Sequence, residues 1–164
     1  MSNKQYEIVT KNGYRAVGMK WDGPWSDSQQ LKNVIQTMSE RVEELNHAVN
    51  PTMQLGLSYH YRPDGFTHYS MYEVTEEQSI PKDMIELHIP ELTYFVTRHE
   101  KGENIGESYN KISRWLVESE YQAYTEPNVT YYEDTLPIKH ERYPHDRDEN
   151  DPHFEIWIPI VNKL

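Results

Sequence analysis

One order of segments occurs twice in this chain: two runs of strand character, a glycine turn, a helix, then further extended segments. In the first pass, residues 6–10 and 14–21 read as strands, with Asn12-Gly13 as a turn between them and Asp22-Gly23-Pro24 closing the second. A helix follows, opened by the capping candidates Ser26 and Asp27. Its apolar residues Leu31, Val34, Ile35, Met38, Val42 and Leu45 fall on one stripe, and Asn50-Pro51 closes it. Residues 53–61 and 66–75 are strands around the hairpin signal Arg62-Pro63-Asp64-Gly65.

In the second pass, residues 84–89 and 93–100 read as strands, and Lys101-Gly102 stands where Asp22-Gly23 stood. The helix over 104–118 carries Ile105, Tyr109, Ile112, Trp115 and Leu116 on its apolar face. Asn104 with Glu107 three residues on forms a capping-box pattern. Residues 130–133 and 138–143 are shorter strand candidates, and 153–160 is the last strand. The recurrence predicts an α+β fold for residues 1–164 as one domain: two βαββ units related by a pseudo-twofold, with half-repeats at about 1–77 and 78–164. Antiparallel sheets would carry helices on one face, leaving the other face as a groove between the halves.

The last strand, HFEIWIPI, sharpens this. Phe154, Ile156, Ile158 and Ile160 alternate, as one buried strand face requires. The opposite face sets Glu155 beside Trp157, and an indole is costly to leave in water. An aromatic pocket with a carboxylate at its base attracts a lipophilic cation by charge and by cation–π contact. The same carboxylate, desolvated, can serve as a general acid or base. Trp21, Tyr69, Met71 and Tyr94 are strand residues expected to line the same groove, with Glu73 as a second carboxylate.

Charge narrows the partners. The chain carries 27 acidic and 16 basic residues, for a net charge of −11. That excludes a nucleic-acid-wrapping surface and disfavours adhesion to anionic membranes, while it favours cations. There are no cysteines, so neither disulfides nor thiolate metal sites arise. The N-terminus lacks the apolar core of a signal peptide and no run spans a membrane, so a cytoplasmic location is expected. The acidic loop from Asp146 begins like a calcium loop but has Asp151 at its sixth position and Trp157 at its twelfth. The spacings of His140, His145 and His153 match no zinc pattern, so no metal is expected there. Phosphate-binding, dinucleotide and nucleophile-elbow motifs are absent, and no cofactor is expected.

The stretch Glu103-Asn104-Ile105-Gly106-Glu107-Ser108-Tyr109, continued to Trp115-Leu116, resembles the ENIGETY…WL helix of the GyrI-like effector-binding domains. Phe154-Glu155-Ile156-Trp157-Ile158-Pro159-Ile160 resembles that family's EIYIPI end strand, with a Trp in place of its tyrosine. Ala16-Val17-Gly18-Met19-Lys20-Trp21-Asp22-Gly23-Pro24 resembles its VGLRYEGP turn. The resemblance covers nearly the whole chain and implies the paired βαββ fold. It also implies an aromatic groove whose glutamate maps onto Glu155, and lipophilic cationic drugs as ligands. Family members occur as ligand-binding modules of AraC-type or MerR-type transcription regulators and as single domains. Some single domains inhibit gyrase, which makes gyrase or a separate regulator a conceivable protein partner. Others hydrolyse cyclopropane-bearing toxins with pocket carboxylate and aromatic groups. The chain itself shows no DNA-binding segment, so a stand-alone binding protein is expected, with a small hydrolase as the alternative.

Overall fold

A computed structural model describes residues 6–133, 135–148 and 150–164; Glu149 of the acidic loop lies outside them. Nine strands form one antiparallel sheet: β1 (Glu7–Lys11), β2 (Tyr14–Pro24), β3 (Met53–Tyr59), β4 (Gly65–Val74), β5 (Ile85–Ile89), β6 (Leu92–His99), β7 (Tyr121–Ala123), β8 (Ile138–Pro144) and β9 (Phe154–Asn162). Two helices, α1 (Gln30–Glu40) and α2 (Ile105–Glu118), complete the α+β fold. The strand order is β1-β6-β9-β8-β3-β4-β2-β5, with β7 beside the end of β9. Reading outward from the β8–β3 pair, β9 and β6 on one side match β4 and β2 on the other. The two passes read in the sequence are therefore placed head to head.

The Asn12-Gly13 turn does not form. A two-residue hairpin of that type needs positive φ at both central residues, and among the described non-glycine and glycine residues only Asp83, Asn128 and Gly102 have it. Instead β1 and β2 run on as one bent arm, and β5 and β6 as another. The arms pair with each other in one register, from Glu7↔Val96 through Lys11↔Leu92 and on from Tyr14↔Ile89 to Gly18↔Ile85. Each half thus lends its first strand to the other. The two glycines ahead of the helices differ: Gly102 sits in a turn, whereas the expected Asp22-Gly23 turn is still strand β2, with Gly23 paired to Phe66. Gly102 has φ +85° and open space around it, so it is there for its backbone. At Gly23 a Cβ would sit 2.6 Å from the Trp21 ring, so it is there for room.

Both helices pack on one face of the sheet. α2 is capped as its pattern predicts, with the Asn104 side chain accepting from the Glu107 amide at 3.0 Å. The Glu107 carboxylate accepts from Asn110. Ile112 and Leu116 of α2 pack with Phe154, Ile156, Ile158 and Ile160 of β9, and Ile35 of α1 joins the same cluster. The Tyr109 hydroxyl adds a bond to Glu141 of β8. The first helix is shorter than its apolar stripe predicts. A 3-10 turn over Trp25–Asp27 precedes it, and Gln29 rather than Ser26 or Asp27 occupies its cap. It stops at Arg41, where Arg41 grips Glu44 with two bonds of 2.6 and 2.8 Å in a second 3-10 turn. The bend lets Leu45 reach Met38, Val17, Tyr72, Val74 and Met84. Residues 130–133 are not a strand. The short strand after α2 is β7, whose three residues are too few to show a period.

Candidate functional site

The face of the sheet away from the helices carries alternate residues of every central strand. Leu55, Leu57 and Tyr59 of β3, Tyr69 and Met71 of β4, Ala16 of β2 and Ile138 of β8 form its apolar floor. Over part of this floor runs the segment that follows β7. It is pinned at both ends by backbone bonds, Tyr124 N–H to the Pro159 carbonyl and Tyr132 N–H to the His60 carbonyl, each 2.9 Å. Asn128, at φ 63°, turns the chain between them.

Between this strap, the floor and the bend from β5 to β6 lies a cavity of about 310 Å³. Tyr59, Tyr61, Tyr69 and Tyr124 supply its aromatic walls, Leu87, Ile89, Leu92 and Ile138 its aliphatic ones. Its volume is at the lower end for a drug-sized ligand. The described lining contains one carboxylate, Glu126, and neither lysine nor arginine. Glu126 Oε1 accepts from the hydroxyls of Tyr61 and Tyr131, both at 2.5 Å. The two rings stand 5.4 Å apart. Burial, then the bond to Glu126, pushes the Tyr61 and Tyr131 hydroxyls well above the ordinary tyrosine range. Both therefore stay protonated and stay donors at neutral pH.

The inner wall holds a second polar pair. Tyr59 Oη and His140 Nε2 are 3.0 Å apart and buried. Burial, reinforced by the Arg142 charge, lowers the His140 pKa to about 3, so the ring is neutral near pH 7. Burial raises Tyr59 well above 10.

The residues singled out in the sequence are dispersed around this cavity. Tyr69 lines it, and Met71 lies in the floor. Glu73 is on the same face but is paired with Lys11 at 3.1 Å. Trp21 is not brought to the groove. It shares the helix face with Val17, and its indole donates to Gln30 of α1 at 3.0 Å. Glu155 and Trp157 do share a face, and the Trp157 indole donates to Glu155 Oε1 at 2.8 Å. Their surroundings differ from an open aromatic pocket. The Arg142 guanidinium covers the Trp157 ring at 3.9 Å, and Tyr94 meets that ring edge-on at 5.3 Å. Glu155 stands in register between Arg98 and Arg142 and borders a separate cleft of about 240 Å³ at the start of β9. Glu126, Tyr61, Tyr124 and Tyr131 were not found from the sequence. The available signal was three tyrosines around one glutamate between residues 121 and 131, in a stretch without periodicity.

The fold has solved counterparts. The C-terminal domain of EcmrR superposes with a TM-score of 0.67 at 14% identity, over 98% of this chain and 99% of that one. SAV2435, solved bound to tetraphenylphosphonium, gives 0.65 at 15% identity, over 96% of this chain and 94% of that one. A hydrolase encoded by lin2189 from Listeria innocua gives 0.60 at 8% identity, over 96% and 92%. At these identities the likeness is one of fold. A comparison with curated proteins gives no match. Residues 4–161 match the GyrI-like small molecule binding domain, and the chain belongs to that family.

Proposed function

We propose that the tyrosine-lined cavity captures a lipophilic organic cation and that Glu126 is its counter-charge. The observation that carries this reading is a lone carboxylate held by two phenols in an aromatic cavity with neither lysine nor arginine in its described lining. Aromatic faces and a desolvated carboxylate act together on a cation, which needs no hydrogen-bond donor of its own. The cation bound in SAV2435 has that character. In this reading Glu155 and Trp157 brace the wall through Arg142, and the chain acts as a binding or sensing domain.

The test uses two ions of one shape and opposite charge. Tetraphenylphosphonium and tetraphenylborate are titrated into the protein by calorimetry. Saturable binding of the cation, with the borate at least about tenfold weaker, supports the reading. Equal binding of both, or of neither, overturns it.

The Tyr59–His140 bond favours a second reading, hydrolysis of an electrophilic small molecule in the same cavity. Glu126 would direct water and Tyr59 would donate to the departing oxygen. Turnover of an ester or strained-ring substrate that vanishes in both Glu126→Gln and Tyr59→Phe supports it. Turnover unchanged in either variant rejects it.

A further inference from the structure

The helix-covered face holds a second cavity, on the far side of the sheet from the tyrosine cage. It measures about 210 Å³ and lies between the C-terminal half of α1 and the ends of β3 and β8. Its character is the reverse of the first. The described lining has two basic side chains, His145 and Arg147, and no carboxylate. In a chain with 27 acidic residues such a lining is unusual company.

Two groups in it lack what they ordinarily hold. Gln54 is 5% exposed, and its Nε2 donates to the Ile35 carbonyl at 3.2 Å and toward Tyr72 Oη at 3.4 Å. Its Oε1 is buried and has no hydrogen-bond partner among the described residues. A buried acceptor without a donor is costly, and native proteins rarely leave one so. Arg147 is stacked on the Tyr143 ring at 4.0 Å, with no carboxylate within ion-pairing distance among the described residues. Stacking fixes the plane of the guanidinium and leaves its N–H edge for an anion. Burial, with a lesser contribution from the Arg147 charge, lowers the pKa of buried His68. The cavity has room for far more than a single water.

We propose that this cleft is a second ligand site, for a small carboxylic acid that also carries an N–H or O–H group, of the amino-acid or hydroxy-acid class. The carboxylate would pair with Arg147, and the donor would satisfy Gln54 Oε1. Ser39, also in the lining, offers a hydroxyl to the remaining carboxylate oxygen. The site is independent of the cation cavity, because the two share no lining residue.

The probes are glycolate, lactate, malate and the free amino acids, with acetate and propionate as acids lacking the donor. They are titrated against amide resonances of the ¹⁵N-labelled full chain. The expected result is saturable shifts in β3, at the end of β8 and in α1 for at least one donor-bearing acid. Arg147→Gln weakens that acid at least about tenfold. Gln54→Met weakens it about three- to tenfold and leaves the donor-less acids unchanged. Tetraphenylphosphonium binding stays within about twofold in both variants, and the thermal midpoint of Arg147→Gln is that of the parent. Absence of saturable shifts from every acid, a hydrated cleft only, overturns the proposal. So do shifts that persist undiminished in Arg147→Gln. Neither outcome bears on the cation cavity, and failure of the cation test leaves this one standing.

Discussion

Glu126 and Glu155 are both glutamates on the groove side of one sheet, and their neighbours make them different objects. Glu126 is held by two neutral donors, the phenols of Tyr61 and Tyr131, which orient the carboxylate without cancelling its charge. Glu155 stands in register between two arginines, and its neighbouring indole is already covered by one of them. On the proposed reading a ligand cation meets neither lysine nor arginine in the described lining at the first, and Arg98 and Arg142 on the neighbouring strands at the second. A carboxylate in an aromatic setting is therefore not enough to mark a cation site; whether basic side chains already stand beside it matters as well.

The comparison can be broken most directly by exchanging oxygen for nitrogen at each glutamate. Glu126→Gln keeps the shape and removes the charge, and is expected to weaken tetraphenylphosphonium by about 1.5–3 kcal/mol in calorimetry. If Glu155→Gln shows that loss instead, the assignment of the two roles is reversed.

His140 joins the two regions, since it lines the cavity and packs against Tyr94 at 5.8 Å. Its folded pKa of about 3, and that of about 4 for buried His68, lie below the ordinary 6.5. Between those values the unfolded chain binds more protons, so stability rises with pH and is complete above about 6.5. As pH falls from 6.5 toward 4, each of the two is expected to remove about 1.4 kcal/mol per unit. Chemical denaturation at pH 7 and pH 5 measures the slope, and His140→Gln should flatten it. An unchanged slope in that variant would show that His140 is not the titrating link.

Tyr131→Phe deletes one of the two donors to Glu126. It should destabilise the protein by about 1 kcal/mol, read as a lower thermal midpoint. Combined with Tyr61→Phe, the losses should be non-additive, because both donate to one oxygen. Full additivity would mean the phenols hold Glu126 independently. The smallest effect is expected from Glu155→Gln, which should leave tetraphenylphosphonium affinity within about twofold by calorimetry.

Most of the fold was legible because it rests on short-range patterns. The alternation in β9, the capped α2 and the hairpin between β3 and β4 each follow from residues within a few positions of one another. The arm exchange was not, because Asn12-Gly13 favours a local hairpin and only the pairing with residues 85–96 overrides it. Trp21 was assigned to the groove by its type, although it shares parity with Val17 and so the helix face. Of the site, Tyr69 was legible from strand alternation. Glu126 was not, since its segment has no period and its partner Tyr61 is 65 residues away.

The exchanged arms carry a consequence for how such a molecule could arise. A single βαββ unit with its leading arm has no strand of its own to lay that arm against. Two identical units could complete one another by trading arms, and would make a closed homodimer with two equivalent chambers. Joining them in one gene keeps the trade and frees the copies to diverge. One region can then specialise in aromatic walls around a glutamate while another is filled by an arginine stacked on a tryptophan.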